Sequence, residues 1–229
     1  MRWLYETVVS FGSEPGSVSF FAITIILMAV VSKILTFPLT LKQAQASKKM
    51  AQINPQLEEL KKKYGYDERI LQQKTMEFYK ENNVSQAGCS SCLPLLIQVV
   101  IIMALFGVLR NPEMYLFDDP NRFQMIAKNF FWISDLSLKD PFWFALPLFN
   151  SLSQILVSKM NPQMQQSQAA GGSAASQMKM MTYLMPVMFF FMFVNFASAL
   201  LLYWAFGNLL EIVVRLIMRL FTRKAVANE

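Results

Sequence analysis

Histidine is absent from this sequence. Its absence removes the commonest metal ligand and the usual general base near neutral pH. Cysteine is scarce, with Cys89 and Cys92 standing together in GCSSCLP. A C-x-x-C pair can be redox-active or half of a zinc site. Here no second pair and no histidine complete a ligand set, so no metal or cofactor is expected. The pair reads as two small residues at a helix entrance. Charge is scarce as well, at 16% of residues, against about a quarter in a typical soluble domain. What fills the space is apolar: 54% of 229 residues, arranged in long blocks. Lipid is therefore the solvent for much of the chain. A net charge of +6 can signal nucleic acid, but the basic residues cluster beside apolar blocks. That pattern suits the cytoplasmic flanks of a membrane protein, and no direct contact with nucleic acid is expected.

The pattern predicts an all-α membrane protein with five transmembrane helices, a cytoplasmic helical hairpin and an N-terminal interfacial amphipathic helix. The interfacial helix occupies 1–17. Its apolar run is broken by Glu6 and fits no standard signal peptide, whereas Trp3, Leu4, Tyr5, Val8, Val9 and Phe11 suit a helix lying on a membrane. The first span is 18–41, the hairpin 42–91, the second span 92–110, an extracytoplasmic loop 111–140 and the third span 141–158. A Gln-, Ser-, Ala- and Gly-rich segment, 159–179, reads as a flexible cytoplasmic loop. From Thr182 to Leu220 the chain is apolar for 39 residues, too long for one span of about 20. Its polar break, Asn195 to Ala199, divides a fourth span, 180–195, from a fifth, 196–220, and leaves a cytoplasmic tail, 221–229. Charge sets the orientation. The segment Lys42–Ser91 holds nine Lys and Arg, whereas Arg110–Asp140 holds four against five Asp and Glu. The positive-inside rule then places the N-terminus outside and the C-terminus inside. The hairpin turns at Tyr64-Gly65-Tyr66, is studded with lysine, and reads as a docking arm for a partner or for anionic lipid headgroups.

Polar residues inside the spans are the functional candidates. Lys33, Thr36 and Thr40 share one face of the first helix. A lone lysine in hydrocarbon costs about 2.5–3.5 kcal/mol on insertion scales. Gln98 stands alone on the second helix. Asn150, Ser151, Gln154 and Ser158 form a stripe on the third, and Trp204, Asn208 and Glu211 one on the fifth. Converging stripes form either a dry, hydrogen-bonded core or a wet cavity. Lys33 is about 12 Å from the inner end of its helix at 1.5 Å per residue, which favours water reaching in from the cytoplasm. The alternative is a Lys33–Glu211 ion pair tying the first helix to the fifth. Glu211 is expected to be shallower than Lys33, so that pair would require the lysine to bend inward. The fourth helix carries Met181, Met185, Met188 and Met192, which read either as lipid-facing side chains or as a slide that repacks against varied apolar partners.

SKILTFPLTLKQ, KKMAQINPQLEELKKKYG, GCSSCLPLLIQ and MPVMFFFMFVNFASALLLYWAFGN, in this order and spacing, resemble the YidC/Oxa/Alb family of membrane protein insertases. The resemblance runs from about Phe11 to Arg219 and is greatest to the short form of Gram-positive bacteria. It implies a multi-pass protein of the bacterial cytoplasmic membrane that is not an enzyme, and that inserts and helps fold new membrane proteins, alone or beside the Sec translocon. It implies a hydrophilic groove, open to the cytoplasm and to lipid, with a cation at the position of Lys33. The family's usual residue there is Arg, five positions before the proline; here it is Lys33 before Pro38. Gln98 and Trp204 match groove positions, and Thr36, Thr40, Asn150, Gln154 and Asn208 are assigned to the same groove. The implied partners are nascent membrane proteins with short acidic tails, membrane lipids, the ribosome, the signal recognition machinery and the Sec translocon. The short form often begins with a lipid-modified cysteine; no cysteine lies near this start, so no lipid anchor is expected. A small solute transporter or channel built on Lys33 and Glu211 is the rival reading.

Overall fold

A computed structural model of the protein describes residues 1–82, 99–108, 120–161, 164 and 172–227. Gln98, Cys89 and Cys92 lie outside the described residues, as does the start of the expected second span. The described chain is helical, apart from isolated β-bridges. Its helices are α1 (Arg2–Ser10), α2 (Phe20–Tyr64), α3 (Glu68–Glu81), α4 (Val99–Val108), α5 (Pro120–Met125), α6 (Ala145–Met160), α7 (Gly172–Phe193) and α8 (Ser198–Ala227). Two of them hold stretches long and apolar enough to cross a membrane, Phe20–Ala46 and Ser198–Leu220. The apolar parts of α4 and α7 are shorter.

Several helices run past the boundaries expected from the sequence. The first span and the first arm of the hairpin are one continuous helix of 45 residues. Nothing between Leu41 and Ala46 breaks a helix: Leu, Lys, Gln and Ala all favour it. α7 begins at Gly172, inside the segment expected to be a flexible loop. Its opening turns, GSAASQMK, supply enough Ala, Gln, Met and Lys to continue helically. α8 runs past Leu220 to Ala227, through most of the expected tail.

Helix starts are fixed by local chemistry. Ser19 caps α2, its hydroxyl accepting from the Ala22 amide at 3.2 Å, and the Glu14 carboxylate accepts from the Phe20 amide at 2.6 Å. These bonds satisfy donors that have no partner within the helix. Asp67 caps α3 through the amides of Arg69 and Ile70. Between α2 and α3 the chain turns at Gly65, where a Cβ would meet the Lys61 carbonyl oxygen at 2.5 Å. Only glycine lets the turn close that tightly. Leu57 is buried in this hairpin, where α2 packs on α3.

The core gathers at one end of the molecule. Phe21, Ala22, Ile25 and Ala29 of α2 pack with Ala199 to Tyr203 of α8, together with Leu105, Phe193, Phe130, Ile133 and Leu136. The loop between α5 and α6 binds both long helices at their starts. The Ser19 amide donates to Asn129 O at 2.9 Å, the Ser198 amide to Leu138 O at 2.7 Å and the Ala199 amide to Leu136 O at 2.8 Å. α2 and α8 therefore begin at the same level, held by one loop. α8 also packs on α6, and α6 on α7.

Candidate functional site

Within the apolar stretch of α2, Phe20–Ala46, the last buried residue is Ala29. Beyond it, Val31, Ile34, Leu35 and Phe37 are exposed. On α8 the last buried residue among those described is Asn208, after which Leu209, Val213, Leu216 and Ile217 are exposed. Lys33 and Glu211 sit at this boundary. Lys33 is 13 residues past Phe20 and Glu211 is 13 past Ser198, which puts each about 20 Å along its helix. The two are at one depth, and the expectation of a shallower Glu211 is corrected.

At equal depth the two side chains meet. Lys33 Nζ donates to Glu211 Oε2 at 3.1 Å. The other carboxylate oxygen, Oε1, accepts from Arg215 Nη2 at 2.6 Å. Glu211 thus bridges a cation from another helix and one from its own next turn. The lysine is the more open partner, its side chain 25% exposed against 12% for Glu211. Gly207, one turn before Glu211, leaves room for the lysine stem: a Cβ there would lie 4.0 Å from Lys33 Cε. Just above the pair, Tyr203 donates from its hydroxyl to Ser32 Oγ at 3.2 Å, and Ser32 in turn donates to Ala29 O at 2.9 Å.

Thr36 and Thr40 continue along α2 from Lys33, half-buried. Their hydroxyls donate back to their own helix: Thr36 Oγ1 to Ser32 O at 2.9 Å, Thr40 Oγ1 to Thr36 O at 3.2 Å. This back-bonding bends helices. Pro38 acts in the same turns, since it has no amide to give to the Ile34 carbonyl. The helix therefore lacks one backbone bond near its half-buried cation.

The stripe on α6 divides. Asn150 is fully buried; its Nδ2 donates to Leu146 O at 2.9 Å and across to Leu201 O on α8 at 3.1 Å. Asn208 Nδ2 donates to Ser153 Oγ at 2.9 Å, and Ser153 donates to Asn150 O at 3.0 Å. Asn150 and Asn208, assigned to a groove from the sequence, are sealed instead between α6 and α8. Asparagine suits such a seam because it can bond a facing backbone where lipid or leucine offers no partner. Gln154, one turn further along α6, is half-buried. Trp204 is half-buried, with its ring centroid 5.0 Å from that of Phe193 and 5.9 Å from that of Phe189. Met181, Met185, Met188 and Met192 are all exposed along α7.

Two further residues belong to this picture. Arg215 stands i, i+4 from Glu211, a pairing signal that is readable in the sequence. Asp140 was not singled out. It is buried, accepts from the Leu146 amide at 2.8 Å and the Phe142 amide at 3.0 Å, and binds Trp132 Nε1 at 3.3 Å. It fixes the start of α6, and with it the Asn150 seam.

Comparison with known proteins places these features in a family. Residues 15–225 match the family described as 60Kd inner membrane protein. A protein of Fusobacterium nucleatum named membrane protein insertase YidC is 36% identical over 218 residues, covering 93% of this chain and 95% of that protein. One of the same name from Clostridium perfringens is 34% identical over 209 residues, covering 91% of this chain and 82% of that protein. A third, from Leptospira interrogans, is 36% identical over 195 residues, and the matched part is 29% of its length. This chain thus spans about a third of the longer relatives and most of the shorter ones.

Proposed function

The chain belongs to the 60Kd inner membrane protein family, and on that premise we propose that it inserts newly made membrane proteins into the bacterial cytoplasmic membrane. The relatives' shared name, membrane protein insertase, is the support for the activity. The observation that carries the mechanism is the boundary on α2 and α8. One end of the helix pair is packed and apolar, the other is open, and an ionised pair stands between. We read the open side as a groove that admits water part-way across the bilayer and so shortens the dry path for a polar segment.

In this reading the chain crosses the membrane five times, its N-terminus outside and its C-terminus inside. Lys33 attracts the acidic tail of a substrate, while Thr36, Thr40, Gln98, Gln154 and Trp204 line the approach. The apolar segment of the substrate leaves sideways along the methionines of α7. Its transfer into lipid is favourable by roughly 25 cal/mol per Å². No covalent bond is made or broken, and no cofactor is required. The substrates are nascent membrane proteins with short acidic tails, and lipid is the second partner. The lysine-rich hairpin of α2 and α3 is the element that meets the ribosome, the signal recognition machinery or the Sec translocon.

Reconstitution tests the proposal. Liposomes holding the purified protein should insert a single-span substrate with a short acidic tail, read by protection of that tail from added protease. Insertion no greater than into empty liposomes would refute it.

A further inference from the structure

We propose that Glu211 is a built-in competitor for the substrate's acidic tail, and that it sets how strongly the site prefers such tails. The inference rests on the insertase reading and adds a specificity-determining residue to it. In the resting structure the carboxylate of Glu211 already occupies Lys33, at 3.1 Å. Lys33 is therefore not a vacant cation. An arriving carboxylate must take the place of one already there.

The geometry makes the exchange easy. Glu211 binds its two cations through different oxygens, Lys33 by Oε2 and Arg215 by Oε1. Arg215 is on the same helix one turn on, so it stays with Glu211 whatever α2 does. Giving up Lys33 leaves Glu211 paired at 2.6 Å and avoids stranding a lone buried charge, the event that makes breaking such pairs expensive. Lys33 is the more exposed partner, on a flexible stem that passes over Gly207. A compact ammonium on such a stem makes a single point contact, whereas a guanidinium would grip a carboxylate with a two-pronged fork. The pair is arranged to exchange one anion for another.

The test uses the full chain in liposomes and two substrates, one with an acidic tail and one with those residues changed to Asn and Gln. The readout is preference, the half-saturating concentration of the neutral substrate divided by that of the acidic one. Glu211→Gln removes the competitor and leaves both cations available, so preference should rise several-fold. Arg215→Gln leaves Glu211 dependent on Lys33, so preference should fall. These opposite shifts from neighbouring positions on one helix are not what general destabilisation produces. Unchanged or lower preference in folded Glu211→Gln overturns the proposal. If that variant does not reconstitute, unchanged or higher preference in Arg215→Gln overturns it. Wild-type protein that inserts neither substrate overturns the insertase reading as well, an outcome distinct from insertion without the predicted shifts.

Discussion

On the proposed reading Lys33 must do two things, stay paired at rest and attract an acidic tail at work. Glu211 supplies the first at 3.1 Å. The second follows because a single ammonium can be turned from one carboxylate to another. Lys33→Ala should therefore lower insertion of substrates with acidic tails by about tenfold, equivalent to about 1.4 kcal/mol, whereas Lys33→Arg, which keeps the charge but grips Glu211 with a two-pronged fork, should fall between Lys33→Ala and wild type. Liposome insertion is the measurement, and wild-type rates in Lys33→Ala would remove the attraction from the mechanism. The asparagines make the opposite case, since their polarity serves a seam. In a chain with Cys89 and Cys92 changed to Ser, a cysteine in place of Asn150 should resist a water-soluble maleimide, because that position is fully buried against α8. A cysteine in place of Gln98 should react from the cytoplasmic side. Labelling at 150 equal to that at 98 would mean the seam is wet.

Elements are held by a few terminal bonds, and α6 depends most on one of them. Asp140 accepts from two amides and an indole while buried. Asp140→Ala leaves those donors without partners, a loss of about 1–3 kcal/mol. The thermal unfolding midpoint in detergent should drop by several degrees; an unchanged midpoint would mean water replaces the carboxylate. Helix character was legible from sequence because apolar blocks of this length admit little else in lipid. Helix length was not. Hydropathy registers where the surroundings change, yet at Leu41 the surroundings change and the backbone does not, because Lys42 to Ala46 remain good helix formers. Pro38 and Pro55 misinform in the same way: both lie inside α2. Which polar residue is sealed by packing was likewise hidden. Asn150 and Gln154 look alike in sequence, and only the position of the Leu201 carbonyl separates them.

Among the described residues the α2–α8 pair is packed at its start and exposed beyond it, and on the proposed reading this polarity separates an insertase from a carrier. A carrier must open alternately to both sides. Here the core residues of α2 and α8 close one end, and the loop between α5 and α6 binds it again. Liposomes containing the protein should thus show no uptake of small solutes above empty liposomes; sustained uptake would favour a transporter built on Lys33 and Glu211. The shared loop has a mechanical consequence too. With Ser19 and Ser198 tied to one strap, a parting of α2 and α8 that keeps these bonds would be that of a pair of tongs, from the far end. Lys33 lies 13 residues out from Phe20, a lever of about 20 Å, so a swing of about 10° displaces it by roughly 3.5 Å. That is enough to release Glu211 while the fulcrum stays shut. Each elementary charge leaking through an open fulcrum would dissipate about 2.3 kcal/mol per 100 mV of membrane voltage. Tongs with a tight fulcrum can work on a charged membrane without short-circuiting it.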